Sequence, residues 1–193
     1  MNKPFVSILI LVRHSEYFSK SINSLLRTCS HKDVEVLVKV DTDEDVSPYL
    51  QVLQKSGLSH TILRSDRRGG GSDLHLFFQD LYKISQGEFI FFWSDDLLMH
   101  DKGWVEKLRE AQLLFEDKIM VCTFSRGYKQ KGQRSQKRGS MCPVASRQFL
   151  ECNDEYISPG RGVDKYLKLI ASAVKRYVFI PGISFSVNEL PNH

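Results

Sequence analysis

Two adjacent carboxylates, Asp95 and Asp96, close a run of five apolar residues, Phe89-Ile90-Phe91-Phe92-Trp93, with only Ser94 between. Such a run suits a buried strand and is too short for a longer element. In open α/β sheets ligands bind just outside the carboxyl ends of the strands, so this junction is a place for chemistry. No Lys or Arg lies between Gly87 and Met99, and two neighbouring acids repel each other unless a cation sits between them. Oxygen ligands select a hard divalent ion such as Mg²⁺ or Mn²⁺, and such an ion commonly holds a phosphate. The competing expectation is that Asp95 and Asp96 cap a following helix.

A second acid, Asp41, ends a second expected strand, Val34–Val40, and leads into Thr42-Asp43-Glu44-Asp45. Either it contacts a ligand or the whole stretch is a solvated turn. Arg64, Arg67 and Arg68 precede Gly69-Gly70-Gly71 and a helix start. Backbone N–H groups at a helix amino terminus suit an anion, so this is a candidate phosphate cradle; the alternative is a surface loop. No G-x-x-x-x-G-K-S/T motif is present, so it is not a P-loop. The four cysteines, Cys29, Cys122, Cys142 and Cys152, lack C-x-x-C spacing. Free thiols in a reducing compartment are expected rather than a zinc site.

The elements that must hold these groups follow from periodicity. Strands are expected at Phe5–Val12, Val34–Val40, Thr61–Leu63, Phe89–Trp93 and Ile119–Phe124. Helices are expected at Glu16–Arg27, Pro48–Lys55, Ser72–Ile84 and Trp104–Phe115, the first with Phe18, Ile22, Leu25 and Leu26 at helical spacing. A β-α-β alternation implies a mostly parallel sheet with helices on both faces. From Arg126 to Arg138 there are six basic residues and no acid, with Gly127 and Gly132 inside and Gly139 just after, which reads as a loop. It could close over a diphosphate, approach acidic lipid, or be solvated. A shorter α+β segment runs from Val144, with a helix at Asp164–Ala173, a strand at Tyr177–Ile180 and a Pro181-Gly182 turn.

Length and composition set the outer limits. A chain of 193 residues with 41% hydrophobic and 26% charged residues is one globular domain. A net charge of +4 does not by itself indicate nucleic acid, and the basic segment offers only Tyr128 for base stacking. The apolar run Phe5–Val12 is too short to span a membrane and lacks a secretory cleavage signal. A cytoplasmic protein is expected, with peripheral membrane contact left open.

The acid-ended strands, taken together, resemble those of the family 2 glycosyltransferases, which have the GT-A fold. The opening Val6-Ser7-Ile8-Leu9-Ile10 resembles that family's first strand. Glu35-Val36-Leu37-Val38-Lys39-Val40-Asp41 resembles the strand whose Asp contacts the nucleotide base. Gly87–Met99 resembles the metal-binding D-x-D strand, and Ala145–Leu150 through Gly162-Val163-Asp164 resembles the stretch ending in the catalytic Glu-Asp motif. The departures are Ser94 for the first Asp of D-x-D, Thr42-Asp43 for Gly-Ser, Gln79 for Asn, and Val163 for the Glu of Glu-Asp.

The resemblance implies a single α/β domain with a mostly parallel sheet. Residues 1–100 would form the nucleotide-sugar-binding half and residues 101–193 the acceptor side. It implies an inverting, metal-dependent transferase of a sugar from a nucleotide-sugar, UDP-linked by preference, to a glycan, lipid-linked or other hydroxyl acceptor. Asp96, with Asp95, would hold Mn²⁺ or Mg²⁺; Asp41, Arg68, Ser94 and Asp95 would contact the donor; Asp164 would be the general base, unless it caps its helix. A carboxy-terminal His193 would be a late metal ligand. The alternatives are a GT-A-like binding domain without catalysis and a nucleotidyltransferase. Against the latter, Arg13-His14-Ser15-Glu16 stands where a glycine-rich first loop would be needed.

Overall fold

Apolar side chains alternate between two buried faces along each central strand, because successive residues point to opposite sides of a sheet. In a computed structural model describing residues 3–67, 73–130, 133–138, 142–153 and 162–187, β1 (Val6–Leu11) shows this directly. Its Val6, Ile8 and Ile10 enter one core and Leu9 the other. The same division holds in β2 (Val34–Asp41) and β4 (Phe89–Ser94), where Phe89, Phe91 and Trp93 face one way and Ile90 and Phe92 the other. Strands covered on both faces read as continuous apolar runs.

Each face is covered by amphipathic helices. On the first lie α1 (Ser15–Leu26), α2 (Ser47–Ser56) and α4 (Trp104–Gln112), through Phe18, Ile22, Leu25, Leu53 and Trp104. On the second lie α3 (Leu74–Ile84), α5 (Arg147–Cys152) and α6 (Val163–Ala173), through Leu81, Phe149, Leu150 and Leu167. The remaining strands are β3 (Ser59–Ser65), β5 (Leu97–Met99), β6 (Val121–Gln130), β7 (Gln133–Arg138), β8 (Val144–Ser146) and β9 (Tyr177–Val187). The sheet order is β3-β2-β1-β4-β8-β6-β9-β5, with β7 paired to β6. The half β3-β2-β1-β4 is parallel throughout. Antiparallel pairs enter with β8, β5 and β7, while β6 and β9 run parallel. Among the described residues no helix is long and apolar enough to cross a membrane.

Three elements differ from the sequence expectation. After Asp95-Asp96 comes the short strand β5, not a helix, so helix capping does not explain these acids. In its described residues the basic segment is strand rather than loop: β6 runs to Gln130 and β7 pairs against it, with Ser125 opposite Arg138 and Gln130 opposite Gln133. β9 runs on past Pro181-Gly182, which forms an irregularity where the register with β6 jumps and Gly182 takes φ of 77°.

At the amino-terminal edge of the sheet a buried acid ties three strands together. The Ser7 hydroxyl donates to Glu35 Oε1 at 2.5 Å, and the Gln86 N–H donates to the same oxygen at 2.6 Å. The Gly87 N–H donates to Ser7 Oγ at 2.7 Å. Arg147 closes the cluster, donating to the Gly87 carbonyl at 2.8 Å and to Ser85 Oγ at 2.8 Å. This approach requires glycine, since a Cβ at Gly87 would lie 2.5 Å from the Ser7 nitrogen. Gly87→Ala is therefore expected to destabilise the fold by about 1–3 kcal/mol through overpacking, read as a lower urea midpoint with an unchanged slope. An unchanged midpoint would refute the close approach.

Candidate functional site

The β1–β4 pairing aligns Leu11 with Ser94, so the chain leaves both strands at the same level of the sheet. The amides of Arg13 and His14, just past β1, donate to Asp95 Oδ2 at 2.7 and 3.0 Å. Asp95 is only 6% exposed. Burial pushes its carboxyl above the usual range, the two amides oppose this, and the neighbouring charge of Asp96 adds to the rise. One oxygen of Asp95 thus holds the β1–α1 connection. Asp96 is half-buried, and among the described residues no side chain or amide pairs with it.

Asp41 stands at the end of β2, where its carboxylate meets two cations. Lys39 forms an ion pair with Oδ1, and Arg67 Nε lies 3.2 Å from Oδ2. Lys39 is 4% exposed and its ammonium sits 3.8 Å from the centre of the Phe77 ring. Arg67 also reaches Asp43 at 3.5 Å and Glu44 at 3.0 Å, while Arg64 donates to the Thr42 carbonyl at 2.8 Å. The acidic turn is therefore cross-linked to the end of β3 rather than simply solvated. Two of the three cradle arginines serve these contacts; Arg68, the glycines after it and His193 lie outside the described residues.

Two cavities open at this edge. One, of about 430 Å³, lies between the connections after β1 and β2 and is lined by Arg13, His14, Tyr17, Glu44 and Tyr49 among others. The Tyr49 phenol is pushed up to about 12, first by burial and then by the charges of Glu44 and Asp95, so it stays a hydrogen-bond donor. It reaches Glu44 Oε2 at 3.4 Å. The other cavity, of about 330 Å³, places Ser94 and Trp93 of β4 together with Val163, Asp164 and Lys165 of α6 and with Cys142 and Pro143. Gly162 is the N-cap residue of α6 and makes no side-chain cap bond, and Asp164 lies in the first turn. Its carboxylate is at the favourable end of the helix dipole and on the wall of the cavity. Trp93 and Trp104 are core residues, 1% and 0% exposed, and the Trp93 indole N–H donates to Ser21 at 2.8 Å.

Of the residues that sequence reasoning singled out, Asp41 ends β2, Ser94 ends β4 with Asp95 and Asp96 just after it, and Asp164 lines a cavity with Ser94. Sequence reasoning did not single out Arg13, His14, Lys39 and Tyr49, which contact these acids or line the neighbouring cavity. Only Lys39 left a signal: a charged residue inside an apolar strand, two positions before an acid and hence on its face. Among the described residues no three His, Cys, Asp or Glu side chains cluster as a ready metal cage. A Mg²⁺ or Mn²⁺ ion held jointly by substrate phosphates and water needs only one or two protein carboxylates. Asp96 is the available carboxylate.

The Asp95 environment has a measurable consequence. Because the folded chain holds the Asp95 proton to higher pH than the unfolded chain, the protonated group's contribution is complete below the unfolded pKa. It is lost as pH rises through the folded one. Asp95→Asn cannot ionise and keeps an oxygen to accept both amides. Its unfolding free energy relative to wild type is expected to rise with pH above about pH 4 and then level off, read by urea titration at successive pH values. A difference independent of pH would overturn the assignment.

No protein-family model matches the sequence, and no curated protein matches it at a significant level. Solved structures do match. Residues 1–349 of TarS from S. aureus superpose with a TM-score of 0.73 at 15% identity, covering 94% of this chain and 60% of that one. The same protein in complex with UDP-GlcNAc gives 0.70 at 15%, covering 97% and 59%. The mannosyltransferase PcManGT from Pyrobaculum calidifontis, in complex with GDP-Man and Mn²⁺, gives 0.64 at 12%, covering 100% and 59%. The chain thus spans about three fifths of the length of these structures. Its strand order, its two helical layers and its acids at the sheet edge are arranged on the GT-A-like glycosyltransferase fold.

Proposed function

We propose that the chain transfers a sugar from a nucleotide-sugar, UDP-linked by preference, to a hydroxyl acceptor with inversion. The observation that carries this reading is the cavity holding Ser94 at the end of β4 and Asp164 at the start of α6, on a fold shared with structures solved with UDP-GlcNAc and with GDP-Man. Asp164 removes the acceptor hydroxyl's proton as that oxygen bonds to the anomeric carbon. The bond from that carbon to the diphosphate breaks on the opposite face, which inverts the centre. Asp96, with the remaining oxygen of Asp95, would hold a divalent cation, which supplies positive charge beside the leaving diphosphate.

On the donor side, Asp41 accepts from the imide N–H of the base with lone pairs that Lys39 and Arg67 leave free. Ser94 offers a hydroxyl to ribose, and Arg68 offers a cation to the diphosphate. The Asp95 bridge holds the β1–α1 connection against the nucleotide. A second reading, donor binding without transfer, is favoured by Ser94 and Val163, which replace acids of the family pattern with a neutral hydroxyl and an apolar side chain.

Calorimetric titration of UDP and GDP, with and without Mn²⁺, tests the first reading. Wild type is expected to bind UDP in a Mn²⁺-dependent manner, and Asp96→Ala to lose that dependence. No binding of either nucleotide with Mn²⁺ present would end it. Asp164→Asn is expected to keep UDP affinity while sugar transfer falls about 10²–10⁴-fold. A wild type that binds UDP yet turns over no UDP-sugar would favour the second reading.

A further inference from the structure

We infer that Lys39 is a positioning residue that sets base selectivity. It fixes Asp41 as a charged, acceptor-only group, and so makes the donor site select uracil over cytosine. This deepens the glycosyl-transfer reading above and rests on its placement of the nucleotide base at Asp41.

Lys39 is out of place in its strand. Val36, Val38 and Val40 of β2 enter one core, while Leu37, Lys39 and Asp41 project from the other face. In register on either side of Lys39 stand Leu11 of β1 and Leu63 of β3, both packed against that second core. Phe77 of α3 covers the ammonium, its ring centre 3.8 Å away, and Lys39 is 4% exposed. A buried charge is costly unless paired, and replacing a buried ion pair by apolar residues is often neutral or stabilising. Burial energetics therefore give no reason for a lysine at this position. Its ion pair with Asp41 Oδ1 does.

The two cations on Asp41 are not equivalent. Arg67 stands 3.2 Å from Oδ2, but its side chain is 60% exposed and is shared with Asp43 and Glu44. An exposed pair of this kind contributes little. Lys39 is enclosed, so salt screens its attraction much less. It anchors the carboxylate from inside the sheet, and the Asp41 side chain remains 16% exposed at the strand end.

A carboxylate held beside cations keeps its charge and then accepts hydrogen bonds without donating any. Uracil presents its N3–H to such a group. Cytosine presents an N3 lone pair in the same place, which a carboxylate repels. A carboxyl without its buried cation takes a proton more readily and can donate to cytosine instead. Lys39 thus acts through Asp41 without touching the nucleotide, and its effect is read between two ligands that differ only at that ring edge.

The test titrates UDP and CDP by calorimetry, with Mn²⁺ present, into wild type, K39M, K39R and D41N. Wild type is expected to bind UDP at least about tenfold more tightly than CDP. K39M is expected to lose most of that ratio through weaker UDP binding, and K39R, which keeps a cation, to retain more of it. D41N, whose amide both donates and accepts, is expected to lose it. A merely structural lysine would weaken both nucleotides alike, so a wild-type ratio in K39M overturns the inference. Equal binding of the two nucleotides by wild type, or a ratio in K39R no better than in K39M, overturns it too. Should K39M show no cooperative urea transition, K39M/D41N leaves no buried charge unpaired and is expected to match D41N; a wild-type ratio in that variant is equally fatal. All these outcomes leave the transfer reading standing as long as wild type binds UDP. Binding of neither nucleotide by wild type ends that reading, and the base-selecting role of Lys39 with it.

Discussion

The pairing of β1 with β4 is the constraint on which the other features rest. These strands are buried on both faces, so neither can carry polar chemistry along its length, and the polar groups are confined to the two edges of the sheet. A buried acid stands at each edge. Glu35 gathers Ser7 and Gln86 at one, and Asp95 gathers the Arg13 and His14 amides at the other. An unpaired buried amide or carboxylate costs about 1–3 kcal/mol; each of these contacts satisfies such a group while setting where the chain enters or leaves a strand. The β1–α1 connection, which lines the larger cavity, is held in place by a residue of β4's own turn.

That division of labour makes the two adjacent acids unequal. Asp95 is turned inward and spends one oxygen on backbone amides, whereas Asp96 is half-buried with no partner among the described residues. Burial makes the Asp95 carboxyl hold its proton more readily than an ordinary Asp, although its two amide donors oppose this. The same logic appears around Asp41, where Lys39 and Arg67 neutralise a carboxylate that would otherwise face Asp43 and Glu44 alone. A donor diphosphate entering this edge would meet a prearranged set of charges rather than a cluster of repelling acids.

The second half of the sheet is assembled differently. It depends on β8, a three-residue strand that reverses direction between β4 and β6 and so aligns the second half of the sheet with the first. Through it α6 is brought across from Ser94, and the long β6 is aimed past the acid-bearing edge. The irregularity at Pro181-Gly182 lets β9 follow β6 over this distance, with a proline that has no N–H to offer and a glycine that accepts a positive φ.

What the sequence determined by itself was the alternation of strands and helices and the position of acids at strand ends. Buried strands need unbroken apolar runs, and those runs stop where the sheet meets solvent. Its reading of Arg126–Arg138 as a loop failed because charge and glycine content report solvent exposure, while strand pairing here is set by β6 continuing out of the core. The competing expectation that Asp95 and Asp96 cap a helix failed because the next element, β5, is only three residues long and pairs with a strand, β9, distant in sequence. Only the tertiary structure decided which acid turns inward, that Lys39 and Arg67 converge on Asp41, and that Asp164 and Ser94 line one cavity. These contacts join residues far apart in the chain, and such pairings depend on strand order and register, which local spacing does not encode.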